Sequence, residues 1–220
     1  ADASYTHMVF PGMVFIAHPS ELGTLYSLAE LEELSALCRR YQIPLYLDGA
    51  RLAYGLAAPD TDVTLADIAR LADAFYIGGT KCGALCGEAV VFPRGGMPRH
   101  FLTHAKQHGA LLAKGRLLGV QFDTLFTDRL YDELGRHAIA MADELRRILR
   151  EAGCTFFRES PTNQQFVVLD NAQVEALAER VRFSTWEKLG DGRTVIRLVT
   201  SWSTTPDDLA ALKAALHEVL

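Results

Sequence analysis

Short apolar runs that end in small or polar residues recur through the first hundred residues. Between these runs, apolar residues recur at helical spacing over residues 28–41, where Ser27 and Glu30 form the pattern of a capping box. A shorter helix is predicted over residues 64–69. The predicted buried strands are residues 13–17, 44–47, 74–77 and 89–92. Strands that alternate with helices predict an α/β fold with a parallel sheet and right-handed crossovers.

The pattern changes beyond about residue 100. Residues 101–150 read as mostly helical, with a break expected near Leu134 and Gly135. The elements predicted after them are strands at 155–157, 165–169 and 195–199 and helices at 171–181 and 206–220. We therefore expect a large α/β domain over residues 1–129 and a smaller α+β domain over residues 130–220.

Ligands of parallel α/β sheets bind beyond the carboxyl ends of the strands, which here are residues 18–20, 48–51 and 78–81. Lys81 follows a buried strand among small residues, where desolvation would lower its pKa and favour the neutral, nucleophilic amine. An ordinary loop lysine is the alternative interpretation.

Asp48 and Arg51 follow the neighbouring strand. A carboxylate at that place would pair with a pyridinium nitrogen, and the guanidinium would bind a carboxylate through two hydrogen bonds. The alternative is an aspartate that caps the next turn, together with a structural ion pair.

Four segments carry a resemblance that extends over essentially the whole chain. The run YLDGARL at 46–52 resembles a signature of threonine aldolases and related β-eliminating lyases, and IGGTKCGA at 77–84 resembles their cofactor-lysine segment. RLVTSW at 197–202 is similar to their C-terminal motif. HPSELGTLY at 18–26 matches a subgroup of threonine-aldolase-like proteins.

The resemblance implies a fold-type I enzyme of the aspartate-aminotransferase superfamily with pyridoxal 5′-phosphate (PLP) as cofactor. It further implies a role for each matching residue: Lys81 as the catalytic Schiff-base lysine, Asp48 on the pyridine nitrogen, Thr80 on the phosphate, Ser20 or Thr24 near the phenolic oxygen, and Arg51 and Arg197 on the substrate carboxylate. Lys106 and Lys114 are candidates for further phosphate contacts. A homodimer or homotetramer is also implied.

The implied reaction is aldol cleavage of L-threonine or a related β-hydroxy amino acid to glycine and an aldehyde. β-Elimination and transamination use the same residues, so these alternatives stay open at this point. The base that removes the hydroxyl proton could be one of the histidines or a residue upstream of this chain, and the sequence does not select one. His18, at a strand end, is a somewhat better candidate than the other histidines. His104 and His108 are expected on a solvated helix face, with an active-site role across a subunit interface as the alternative.

The chain departs from the family pattern in three places. Family members are longer, with an upstream stretch that supplies the glycine-rich phosphate loop and a ring-stacking residue. We therefore expect a fragment of a larger protein, and the alternative is a degenerate, inactive scaffold. Ser201 replaces the usual histidine, and Cys82 and Cys86 stand in the lysine loop. They lack further zinc ligands nearby, so no metal site is expected.

The composition limits the kinds of partner that are expected. The 220 residues are 49% hydrophobic and carry a net charge of −5, as in ordinary globular proteins. The sequence has no basic stripe, which argues against nucleic acid as a partner. No apolar run is long enough to span a membrane, and residues 1–4 lack the pattern of a signal peptide. The four scattered cysteines favour reduced thiols, so we expect a cytoplasmic protein whose partner is a small amino-acid substrate.

Overall fold

The computed structural model describes residues 5–220, so the signal-peptide expectation for residues 1–4 lies outside the described residues. The chain forms two four-stranded sheets with flanking helices. The strands are β1 (Val14–Ala17), β2 (Leu45–Asp48), β3 (Ala74–Gly78), β4 (Glu88–Val91), β5 (Thr155–Arg158), β6 (Gln164–Asp170), β7 (Ser184–Lys188) and β8 (Arg193–Val199). The α-helices are α1 (Leu28–Tyr41), α2 (Leu52–Ala57), α3 (Leu65–Leu71), α4 (Phe101–Gln107), α5 (Arg116–Phe126), α6 (Leu130–Glu151), α7 (Asn171–Ala178) and α8 (Pro206–Val219). Within residues 5–220, no helix combines the length and apolarity needed to cross a membrane.

The first sheet has the order β1-β2-β3-β4, and its first three strands are parallel as predicted. α1 has the predicted bounds, and Ser27 and Glu30 form the predicted capping box. β4 runs antiparallel to β3. The short connection of residues 79–87 explains this direction, because a parallel return needs a crossover of a dozen or more residues.

Only one face of the first sheet is covered by the described residues. Leu47 and Phe75 are buried beneath the helices, whereas Tyr46 is half-buried and Phe15 is 56% exposed on the other face. The expectation of strands buried on both faces is therefore not met in this part of the chain. Asp48 shares the open face with Tyr46, since the side chains of a strand alternate between its two faces.

The second sheet is antiparallel, in the order β5-β6-β8-β7. The three predicted strands are β5, β6 and β8. β7 was not predicted, because its sequence, STWEK, lacks an apolar run and its side chains are mostly exposed. The six-residue helix α2 also escaped prediction, since so short a helix has too few turns to show a periodic pattern.

Helix α6 joins the two halves of the chain. The break predicted near Leu134 and Gly135 is wrong, because the helix runs uninterrupted from Leu130 to Glu151. Its first half packs Ile139 into the core under the first sheet, and its second half packs Leu149 into the core of the second. The division of the chain into domains at residues 129 and 130 stays a prediction.

Gly135 has a packing role rather than a helix-breaking one. A Cβ atom at this position would lie 2.6 Å from the carbonyl oxygen of Ala53 in α2, which is closer than real Cβ atoms come to another heavy atom. The glycine lets α6 and α2 approach each other closely.

We predict that Gly135→Ala destabilises the protein by about 1–3 kcal/mol, because the overlap with backbone outweighs the better helix propensity of alanine. Gly119→Ala is the matched control, since Gly119 lies in α5 with no atom within 4 Å of a built Cβ. That change should be neutral or stabilise by up to about 1 kcal/mol. Urea unfolding of the two variants checks the prediction, and equal effects would contradict it.

Candidate functional site

Three loops meet at the carboxyl edge of the first sheet. The backbone N–H of His18 donates to the carbonyl of Asp48, 2.9 Å away, which joins the loop after β1 to the end of β2. The N–H of Gly78 donates to the carbonyl of Gly49, also at 2.9 Å, which joins the end of β2 to the end of β3. The segments bearing Asp48 and Lys81 are therefore adjacent.

The approach between these two segments depends on the absence of a side chain at Gly78. A Cβ atom there would overlap the backbone of Gly49 and Ala50. This contact explains the glycine that precedes the lysine turn in the sequence.

The Asp48 carboxylate is held through one of its two oxygens. Its Oδ1 atom accepts hydrogen bonds from the Tyr76 hydroxyl at 2.5 Å and from the N–H of Ala50 at 2.9 Å. Burial raises the pKa of Tyr76, and the bond to Asp48 raises it further, so the hydroxyl stays protonated and continues to donate. Among the described residues Oδ2 has no hydrogen-bond partner, so it can accept from a ligand.

Two buried tyrosines fix the turn that carries Lys81. The Tyr54 hydroxyl donates to the carbonyl of Lys81, and the Tyr131 hydroxyl donates to the carbonyl of Gly78 at 3.1 Å. Tyr131 also accepts from the N–H of Ala53, so α6, α2 and the lysine turn share one hydroxyl. The Lys81 side chain itself is exposed and has no hydrogen-bond or ion-pair partner in residues 5–220. The expected burial of its amine is not seen in the described chain.

Thr80, the predicted phosphate ligand, contacts a carboxylate instead. Its hydroxyl donates to Glu88 Oε1 at 2.9 Å, and Glu88 Oε2 accepts from the N–H of Gly79 at 2.5 Å. A hydroxyl has one proton to donate, so Thr80 would have to release Glu88 before donating to a phosphate. Its phosphate role stays a prediction.

Ser20 and Thr24 lie together in the loop after β1. Their hydroxyls are 2.6 Å apart, and the Thr24 N–H donates to Ser20 Oγ at 3.1 Å. Both side chains are half-buried at the edge that carries Asp48. Their predicted contact with the cofactor's phenolic oxygen stays a prediction.

His18 is a poor candidate for the catalytic base. Its side chain is fully buried, and its Nδ1 accepts from the backbone N–H of Tyr26 at 3.4 Å. Burial lowers its pKa to about 4, and the negative charge of Asp62 offsets only part of that change. Since it is hidden from ligands and weakly basic, the imidazole is suited to a structural role.

Arg51 lies in the turn after β2 of the first sheet and Arg197 lies in β8 of the second, and their positive charges are close enough to interact. Burial lowers the pKa of Arg51, Glu21 opposes that change, and the positive charge of Arg197 adds to it. The Arg51 guanidinium lies 3.8 Å from the Glu21 carboxylate and is 14% exposed. Two neighbouring guanidinium groups, of which only Arg51 has a carboxylate partner among the described residues, leave a net positive charge, which suits an anionic ligand.

Several other candidates from the sequence make no hydrogen bond or ion pair with the residues at this edge of the sheet. Lys106 and Lys114 are exposed and have no hydrogen-bond or ion-pair partner in residues 5–220, and His104 and His108 lie exposed on or just after α4. Cys82 is buried, with its pKa raised to about 12, whereas Cys86 is exposed. In the part of the chain that the structure describes, no three metal-ligating side chains cluster.

The family model of the beta-eliminating lyases matches residues 2–172 of the chain. The chain belongs to the beta-eliminating lyase family. This is a family of PLP-dependent enzymes, so the family predicted from the four segments is confirmed.

Individual relatives support the same family. A low specificity L-threonine aldolase of Pseudomonas aeruginosa is 29% identical over 216 residues, which are 97% of this chain and 61% of that protein. The structure of a Leishmania major threonine aldolase is 42% identical, with a TM-score of 0.92 over 96% of this chain and 62% of that one. The chain thus spans about three fifths of the length of these relatives.

The fold prediction is confirmed by a more distant comparison. An aspartate aminotransferase of Thermus thermophilus is 16% identical, with a TM-score of 0.67 over 98% of this chain and 59% of that one. At that identity the likeness shows the fold alone, which is the α/β architecture of fold-type I enzymes.

The described residues fit the ring and amine ends of PLP better than its phosphate. The open Oδ2 atom of Asp48 can accept from a protonated pyridine nitrogen, and the unpartnered amine of Lys81 follows the adjacent strand. By contrast, the donors of Gly79 and Thr80 are engaged by Glu88.

The buried imidazole of His18 makes stability depend on pH. Its pKa is about 4 in the folded chain and near 6.5 when it is solvated, so the unfolded chain binds its proton more strongly. We predict that His18 lowers the free energy of unfolding by on the order of 3 kcal/mol as the pH falls from 7 to below 4.

Urea unfolding at a series of pH values between 7 and 4 measures this effect. His18→Gln should flatten the dependence, because glutamine keeps an acceptor for Tyr26 without a titrating ring. His104→Gln, on an exposed helix face, should leave the wild-type dependence in place. The same slope in His18→Gln and wild type would rule out this origin.

Proposed function

We propose that this chain forms part of a PLP-dependent lyase that cleaves L-threonine or a related β-hydroxy amino acid to glycine and an aldehyde. The observation that carries the proposal is the junction of Asp48 and Lys81 on adjacent strand ends, joined by the hydrogen bond from Gly78 to Gly49. The two arginines and the similarity to threonine aldolases support the amino-acid substrate.

In this proposal the protein residues divide the work of binding and orientation. Lys81 would hold the cofactor through its amine, and Asp48 would keep a proton on the pyridine nitrogen. Arg51 and Arg197 would bind the substrate carboxylate and so set which bond to Cα is perpendicular to the cofactor ring. When bound, PLP supplies the electron withdrawal that stabilises negative charge on Cα.

Aldol cleavage breaks the Cα–Cβ bond of threonine. The hydroxyl proton leaves, the oxygen forms the carbonyl of acetaldehyde, and the electron pair of the broken bond stays on Cα, which takes a proton to become glycine. The base that removes the hydroxyl proton is left unassigned, since His18 is buried.

We also propose where the protein is located and how it assembles. The four cysteines are free thiols, which suits a cytoplasmic protein. The resemblance to the family implies a site that is completed across a subunit interface, so we propose a homodimer or homotetramer.

The test is product analysis of the purified full-length protein supplied with PLP. L-Threonine should yield glycine and acetaldehyde in equal amounts, and Lys81→Ala should lose most of the activity because it lacks the amine that holds the cofactor. Lys188→Ala, an exposed lysine on β7, should keep wild-type activity.

Other products would favour the alternatives. A keto acid and ammonia from serine or cysteine, without acetaldehyde from threonine, would indicate β-elimination. Conversion of the cofactor to its amine form would indicate an aminotransferase. No turnover and no PLP binding by the full-length protein would indicate an inactive scaffold.

A further inference from the structure

The amide of Gln164 bridges Arg197 and the loop after β1. Gln164 is the first residue of β6 and is fully buried. Its Oε1 atom accepts from Arg197 Nη1 at 3.1 Å, and its Nε2 donates to the backbone carbonyl of Glu21 at 3.2 Å. The amide orientation follows from its neighbours, since a guanidinium can only donate and a carbonyl can only accept.

The other contacts of Arg197 are also with uncharged groups. Its Nη2 donates to Ser184 Oγ at 3.4 Å, and its guanidinium lies 5.6 Å from the ring centroid of Trp186. Its buried Nε has no partner among the described residues, and no carboxylate of that part of the chain forms an ion pair with it. Arg197 is therefore held in place with its positive charge uncompensated.

Glu21 contacts both Gln164 and Arg51. Its backbone carbonyl accepts from Gln164, and its carboxylate is the partner of Arg51. The Asp48 carboxylate also acts on Arg51, but in the proposed site it is paired with the pyridine nitrogen. The two guanidinium groups and the Glu21 carboxylate then leave one positive charge, which a single substrate carboxylate would neutralise and a carboxylate at residue 164 would remove.

We propose that Gln164 is a positioning residue that fixes the Arg197 guanidinium for an amino-acid carboxylate, and that its neutral amide preserves the charge which the substrate needs. The inference rests on the proposed function, because it requires Arg197 to bind the substrate carboxylate. Glutamine suits this position because it accepts from the arginine on one side and donates to the loop on the other without adding charge.

The test compares Gln164→Glu and Gln164→Met with Gln165→Met in the PLP-loaded protein. Glutamate keeps the size of the side chain but neutralises Arg197, and methionine keeps the length but removes the amide. Gln165 is the matched control, because it is equally buried on the same strand, while its amide donates to the carbonyls of Ser160 and Thr162 rather than contacting Arg197.

Both Gln164 variants should raise the KM for L-threonine about tenfold or more, with kcat within about threefold of wild type. Their dissociation constants for glycine, measured by calorimetry, should rise in parallel. Those for methylamine, which lacks the carboxylate, should stay within about twofold. Gln165→Met should leave all of these constants within about twofold of wild type, although it lowers the melting temperature.

The outcomes separate the two proposals. Wild-type protein that binds PLP and cleaves threonine, with Gln164 variants that lose affinity for glycine and methylamine alike, would overturn the positioning role and leave the proposed function intact. Equal effects of Gln164→Met and Gln165→Met would also overturn it. If Gln164→Met does not fold, Gln164→Glu decides alone. Full-length wild-type protein without PLP binding would instead refute the proposed function.

Discussion

The close approach of two backbone turns determines the rest of the site. The turn after β2 and the turn after β3 touch through Gly49, Ala50 and Gly78, at a distance that leaves no room for a side chain on Gly78. Because the contact is between backbone atoms, it sets the spacing of the backbone segments that bear Asp48 and Lys81 regardless of side-chain motion. The hydroxyls of Tyr54 and Tyr131 then hold the lysine turn from the side of α2 and α6.

The second half of the site depends on a buried polar contact between the two sheets. The hydroxyls of Ser160 and Thr162 both donate to the carbonyl of Gly23, at 3.3 and 3.2 Å, and Gln164 donates to the carbonyl of Glu21. Hydrogen bonds are directional, so they fix how the loop after β1 sits against the second sheet more tightly than apolar packing would. Arg197 thereby faces the same loop as Arg51, although about 150 residues separate them in the chain.

The sequence predicted those parts of the fold that local patterns encode. The parallel strands β1–β3, helix α1 with its capping box, and the convergence of the strand ends all follow from short-range periodicity and sheet topology. The supposed break at Gly135 was wrong, because a glycine can serve close helix packing as well as helix termination, and only the neighbouring helix distinguishes the two.

The supporting residues of the site were harder to foresee. Gln164 stands in the run SPTNQQ, which reads as a loop entering a strand, and its role depends on Arg197 and Glu21, which are distant in sequence. Glu88, which engages Thr80, and Tyr76, which engages Asp48, are likewise revealed only by strand pairing. A polar residue at a strand terminus is a weak signal by itself, since such positions are commonly solvated.

In the proposed site, the turn after β3 presents Lys81 to PLP beside Asp48. Borohydride reduction of the purified, PLP-treated full-length protein, followed by peptide mapping with mass spectrometry, tests this arrangement, because reduction makes the bond between a lysine and the cofactor permanent. We expect a phosphopyridoxyl group on Lys81, close to one per chain, with the other lysines unmodified. A phosphopyridoxyl group on a different lysine, or none on Lys81, would rule out this arrangement.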